Sequence, residues 1–310
     1  MGQRKLLITL CIMFHLGLFP VLSFGQQVKD VPEAFKALSS NPEIISVRNK
    51  INVPSKRGHF QGAQVIQHNG TEKLLVSGSS FSQAYILQID LTTMETDTLI
   101  PLMKTPYRHA GGFQVSNGYL AVGIEDNFIK TSSKVCLYNF SNNNLYNTQP
   151  TITVDRHGKP EQQTAGAVGL LALDNQYLMV VANWDSRNWD FYHIDPKNKV
   201  QKKLGSFSAL LNWASYQSIN LIRDEEAIYA IGFYNGDDNV GYADLILVSE
   251  TESFFPIMDK MLTKSFNGKK KVDFGTATGL QVDEEGNLHI WAIQSYPLKE
   301  MVINKFSQQL

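Results

Sequence analysis

Two histidines open equivalent short segments. One reads His59-Phe-Gln-Gly62-Ala-Gln64-Val65 and the other His109-Ala-Gly-Gly112-Phe-Gln114-Val115. An imidazole at a repeated position can serve as a general base or a metal ligand. Glu125 follows the second segment at the end of an apolar run and supplies an acid. His59, His109 and Glu125 therefore define one chemistry, a hydrolase or lyase, with metal assistance as a variant. The competing reading is structural. Equivalent positions elsewhere hold Thr164, Ser215 and Thr276, so each histidine can simply cap a strand start through a local hydrogen bond. No HExxH pair, paired cysteines or calcium-type acidic loop is present, so no metal site and no cofactor are expected.

A second group of residues suits binding. Asn183-Trp184-Asp185-Ser186-Arg187-Asn188-Trp189-Asp190 sets two indoles among carboxylates and amides. Aromatic faces stack on the apolar faces of sugar rings, while amides and carboxylates take their hydroxyls. Asp126 and Tyr234 follow other apolar runs at comparable places. Gln64, Gln114 and Gln281 fall at one position of the repeat and face a common direction, where they line a channel or bond across to neighbouring strands. The ligand-binding set is thus Gln64, Gln114, Asp126, Asn183, Trp184, Asp185, Trp189, Asp190, Tyr234 and Gln281. The partner expected is a small polar molecule or glycan.

The elements that must position these residues are short. Runs such as Lys73–Ser77, Tyr85–Asp90, Tyr119–Gly123 and Tyr177–Ala182 are rich in β-branched and aromatic residues and end in turn residues, which predicts an all-β chain. The repeat recurs as Thr164-Ala-Gly-Ala167, Ser215-Tyr-Gln-Ser218 and Thr276-Ala-Thr-Gly279, and the five starts are spaced 50, 55, 51 and 61 residues apart. A period near 50 with four strands per unit is that of a propeller blade. The expectation is a five-bladed β-propeller over residues 43–310. The last unit has room for only three strands, and Glu43–Val53 is expected to complete it, removing an open sheet edge. The small residues Gly62, Gly112, Ala167, Ser218 and Gly279 mark where five inner strands crowd the axis.

Residues 1–25 carry Arg4 and Lys5, an apolar run from Leu6 to Phe19, and Ser23-Phe24-Gly25 before Gln26. That is the pattern of a cleaved export signal. Residues 26–42 form a lead segment with a short helix over Val31–Leu38. Cleavage leaves 285 residues with 26 basic against 29 acidic side chains, a charge of −3, and one cysteine, Cys136. This excludes a disulfide scaffold and a basic nucleic-acid face. A secreted or periplasmic monomer without a membrane span is expected. Asn69-Gly70-Thr71 and Asn139-Phe140-Ser141 match the glycosylation triplet.

At these repeat residues the chain resembles five-bladed β-propeller proteins. His109-Ala-Gly-Gly-Phe-Gln114 is similar to a His-x-Gly-Gly-x-Gln motif of uncharacterised secreted bacterial propellers, over about residues 43–306. The region before Gln26 is similar to signals of Bacteroidetes exports. Five-bladed glycosidases carry three acids on inner strands of separate blades. This chain has His, Thr and Ser at those positions, so the resemblance does not imply that activity.

Overall fold

A computed structural model describes residues 27–54, 56, 58–68, 70–140, 149–159, 162–236, 240–251 and 254–309. The expected signal, 1–25, lies outside them. So do Asn69 and Ser141 of the two triplets.

Among the described residues, alternating apolar residues and turn chemistry produce twenty strands and one short helix. The antiparallel pairings fall into four-strand runs. The first holds β2 (Phe60–His68), β3 (Thr71–Gly78), β4 (Gln83–Asp90) and β5 (Glu95–Lys104). The second holds β6 (Tyr107–Ser116), β7 (Tyr119–Asp126), β8 (Ser132–Asn139) and β9 (Ile152–His157). The third holds β10 (Ala167–Leu173), β11 (Gln176–Ala182), β12 (Asn188–Asp195) and β13 (Val200–Ser208). The fourth holds β14 (Ser218–Arg223), β15 (Ile228–Asn235), β16 (Gly241–Thr251) and β17 (Phe254–Phe266). The last holds β18 (Thr278–Val282), β19 (Leu288–Ile293) and β20 (Glu300–Ser307), with β1 (Glu43–Arg48) from the N-terminal side pairing along β20.

Single parallel pairs join some of these runs. Thr278 meets Gly62, Ala167 meets Gly112, and Arg48 meets Glu95. Through them the strands gather into one closed sheet, one eight-stranded sheet and one four-stranded sheet.

The two parallel contacts between first strands fall where the repeat places its small residues. A Cβ on Gly279 would lie 1.6 Å from the Ala63 carbonyl oxygen, and one on Gly112 would lie 2.5 Å from that of Gln217. Backbone therefore abuts backbone, and no side chain fits between.

The core lies between the runs in five apolar clusters. Cys136 is buried in one of them, and burial pushes its thiol up to about 11. The lead segment is tied down as well. The helix α1 (Val31–Ala37) starts at Asp30, whose carboxylate accepts from Glu33 N at 2.9 Å. Its Phe35 joins Phe266, Phe274 and Phe306 in one cluster. Asp224 accepts from Val31 N at 3.1 Å. Among the described residues no helix is long and apolar enough to cross a membrane.

Candidate functional site

Antiparallel pairing puts three features of every run at one end: the start of its first strand, the end of its second and the start of its third. His59 immediately precedes β2, and its backbone meets Ser79, just beyond β3, through two hydrogen bonds of 3.0 and 3.2 Å. His109 sits near the start of β6 and faces Glu125 in the β6–β7 register. The two imidazoles meet edge to face with centroids 5.7 Å apart. We call this end of the runs the mouth.

The mouth histidines are held locally. The amide of Gln61 lies 2.7 Å from His59 Nδ1, and the Phe60 carbonyl lies 3.0 Å from the same nitrogen. His109 is buried, with Asn127 Nδ2 at 3.3 Å from its Nδ1. Burial, with the His59, Arg108 and Lys130 charges beside it, lowers its pKa to about 3. It is therefore neutral at neutral pH. Glu125 is also buried, and its Oε1 accepts from Ala165 N at 2.7 Å. Burial pushes its carboxyl up to about 7, against the opposing pull of that N–H and of the Lys130 and Arg156 charges. The acid and the imidazoles thus share one end of the fold, but each is engaged in local bonds. Among the described residues no group of three His, Cys, Asp or Glu side chains gathers to hold a metal.

The amides of the repeat do not line a wet channel. Gln114 spans three strands. Its Oε1 accepts from Leu170 N at 2.8 Å and Leu221 N at 2.7 Å, and its Nε2 donates to the Leu221 carbonyl at 2.8 Å. Gln64 donates to Asn220 Oδ1 at 3.2 Å, which also accepts from Leu280 N at 2.9 Å. These buried amides bind the inner strands to one another. Gln281 turns elsewhere, to Glu72 at 2.9 Å and to the Trp291 indole at 2.7 Å.

The aromatic segment divides in two. Trp189 belongs to β12, is fully buried, and donates from Nε1 to the Ser186 carbonyl at 2.8 Å. It packs edge to face on Trp213 and Tyr216, so it is part of the core. Trp184 lies in the β11–β12 loop and is 40% exposed. Thr164 Oγ1 accepts from its backbone N–H at 2.7 Å, and Gln217 donates to its carbonyl at 3.1 Å. Lys130 Nζ sits 4.2 Å from its ring centroid.

Asp185 is half-buried beside Trp184 and accepts from Arg187 N at 3.2 Å. Three other expected ligand residues have structural work. Asp126 caps the β7–β8 turn by accepting from Phe128 N and Ile129 N at 3.1 and 3.2 Å. Asn183 closes the β11–β12 hairpin by accepting from Asn188 N at 2.8 Å. Asp190 pairs with Arg156 at 2.7 Å and Lys203 at 2.6 Å. Tyr234 stacks on Tyr242 with centroids 5.4 Å apart, and burial, reinforced by the Asp244 charge, pushes its hydroxyl up to about 12.

The sequence reading missed several mouth residues. Phe81, Phe128 and Tyr296 are exposed large side chains in the equivalent loops of other runs, Phe128 at 85%. Arg108 lies 5.0 Å from the Phe81 ring centroid and donates to the Phe81 carbonyl at 3.3 Å. The usable signal was an aromatic within two or three residues of the end of each second strand. Together these residues form a rim of exposed aromatics, two of them flanked by cations.

No protein-family model matches the sequence, and no curated protein matches it. Solved structures do. An exo-β-1,3-galactanase from Phanerochaete chrysosporium superposes with a TM-score of 0.51 at 8% identity, covering 86% of this chain and 64% of that one. An exo-1,5-α-L-arabinanase from a bovine ruminal metagenomic library does so with a TM-score of 0.50 at 10% identity, covering 80% and 92%. A bifunctional GH43-CE protein from Bacteroides eggerthii is matched over 85% of this chain but only 34% of its own length, with a TM-score of 0.46 and 8% identity. The chain thus spans about a third of that larger protein. At such identities the galactanase and arabinanase likenesses carry the fold alone: the chain is all-β and propeller-like.

Proposed function

We propose that this chain is a five-bladed propeller, each four-strand run being one blade, that binds a carbohydrate-like ligand at the mouth. In this reading residues 43–310 are the propeller, 26–42 lead into it, and 1–25 direct export to a secreted or periplasmic site. The observation that carries the binding reading is Trp184. Its backbone is pinned on both sides, its ring is substantially exposed, and Lys130 and Asp185 stand beside it. A pre-positioned indole loses little freedom on binding, and its face complements the C–H face of a pyranose. The galactanase and arabinanase that share the fold are named for action on sugars.

A glycan array probed with the purified protein tests this. Trp184→Ala is expected to weaken the best signal at least about tenfold, since a stacked indole contributes more than about 1.4 kcal/mol. His109→Ala is expected to keep it. Loss in both variants, with both folded, would move the site to the imidazole pair.

One observation favours hydrolysis as a second reading. The Glu125 carboxyl, pushed up to about 7, has the pKa of a general acid working near neutrality. Its burial and its bond to Ala165 N oppose direct contact with substrate. The same glycans scored for cleavage products separate the two readings.

A further inference from the structure

A lateral cleft of about 330 Å³ opens between the second and third runs, where β9 faces β12 and β13. Arg156, Asp190, Tyr192 and Lys203 line it, with Gln163 and Asn188 towards the mouth. It lies outside the mouth site and stands independently of the carbohydrate reading.

Arg156 is the unusual member. It is only 4% exposed, and the alternation Ile152, Val154, Arg156 along β9 puts it on the buried face of its strand. Its Nη1 donates to Asp190 at 2.7 Å and to the Tyr192 hydroxyl at 3.2 Å. Its Nε and Nη2 are buried without any hydrogen-bond partner. These two atoms form one edge of the guanidinium and carry parallel N–H groups, the fork that a carboxylate accepts bidentately. Leaving a buried donor unpaired costs about 1–3 kcal/mol, more when it is charged, so an acceptor there is strongly favoured.

The local charge selects the acceptor. Lys134 pairs with Asp155, while Arg156 and Lys203 share Asp190. Three cations therefore face two anions. One positive charge is left over, which matches a monoanion and not a phosphate dianion. Inward along the same sheet, Ser133 pairs with Arg156 on one side and Glu125 on the other. Glu125 is held neutral below about pH 7 and leaves that charge uncompensated.

We propose that this cleft binds a small monocarboxylate whose two oxygens accept from the Nε–H and Nη2–H edge of Arg156. Both nitrogens are buried, so the carboxylate reaches them only as the cleft wall gives way. Its source can be a sugar acid or a simple hydroxy acid.

The test follows the Arg156 Nε–H resonance of the purified protein by 15N NMR. D-glucuronate, lactate, D-glucose and inorganic phosphate are titrated separately. A saturable shift with glucuronate or lactate, and none with glucose, is the expected result. A response to glucuronate alone identifies a sugar acid, and one to both identifies the carboxylate itself. Arg156→Lys keeps the charge but removes the fork, and should weaken carboxylate binding about tenfold or more. The proposal is overturned if the wild-type resonance is unmoved by either carboxylate, if phosphate binds as well as they do, or if folded Arg156→Lys binds as well as wild type. The wild-type titration decides the question should the variant fail to fold.

Discussion

Gln114→Leu is expected to lower the free energy of unfolding by about 3–5 kcal/mol, although no ligand contact is removed and the side-chain volume barely changes. Gln114 is fully buried and makes three hydrogen bonds, to Leu170 N, Leu221 N and the Leu221 carbonyl. Leucine strands all three partners. They belong to β10 and β14, so the loss falls where successive first strands meet around the axis. Each orphaned buried group costs about 1–3 kcal/mol, and relaxation recovers part of the sum. Urea denaturation measures the change, and a melting temperature lower by roughly 10 °C should accompany it. A loss below about 1 kcal/mol would mean that the axial amides are replaceable filling.

The second large effect is in pH dependence, and wild type conceals it. Burial raises the Glu125 carboxyl from 4.5 to about 7. Between those values the unfolded chain has released this proton and the native chain keeps it. The native state then binds more protons, so stability falls as pH rises, by about 1.4 kcal/mol per unit and about 3 kcal/mol in all. His109 works in the other direction. Burial lowers it from 6.5 to about 3. As pH falls through that window the unfolded chain takes up a proton and the native chain does not, so stability falls with acidification at the same slope.

The two slopes oppose one another between about pH 4.5 and pH 6.5 and largely cancel. Each variant unmasks the other slope. Glu125→Gln keeps an acceptor for Ala165 N and should gain stability relative to wild type from about pH 4.5 upward, reaching about 3 kcal/mol above pH 7. His109→Gln should gain relative to wild type only below about pH 6.5. Chemical denaturation at about pH 5 and about pH 8 checks both. A Glu125→Gln difference equal at the two values would show that the carboxyl is ionised throughout.

Much of this architecture is legible in the chain because it follows from crowding. First strands of neighbouring runs approach backbone to backbone, and at Gly62, Gly112 and Gly279 an added Cβ would meet the backbone of another run at 3.0 Å or less; Ala167 and Ser218 hold the same place in the repeat. The pairing of β1 with β20 is legible too, since the last unit lacked a strand. The role of the amides was less so. Their position in the repeat is visible, but the partners of Gln114 and Gln64 given above lie 56 to 156 residues away, and only folding decides between water and a neighbouring strand. Trp184 and Trp189 are alike in sequence. One sits in a loop and the other on the inward face of β12, and five residues of local pattern do not separate them. Arg156 escaped notice because a charge in a strand reads as surface. Its alternation with Ile152 and Val154 was the available signal.

Tryptophan fluorescence tests the mouth most directly. Of the four tryptophans, Trp189, Trp213 and Trp291 are buried and Trp184 is exposed. Acrylamide should therefore quench chiefly Trp184. The strongest glycan from the array is expected to protect that fraction, and Trp184→Phe should remove both the quenching and the protection. A glycan that binds without changing the quenching, or an array on which no sugar binds, would contradict a carbohydrate site at the mouth.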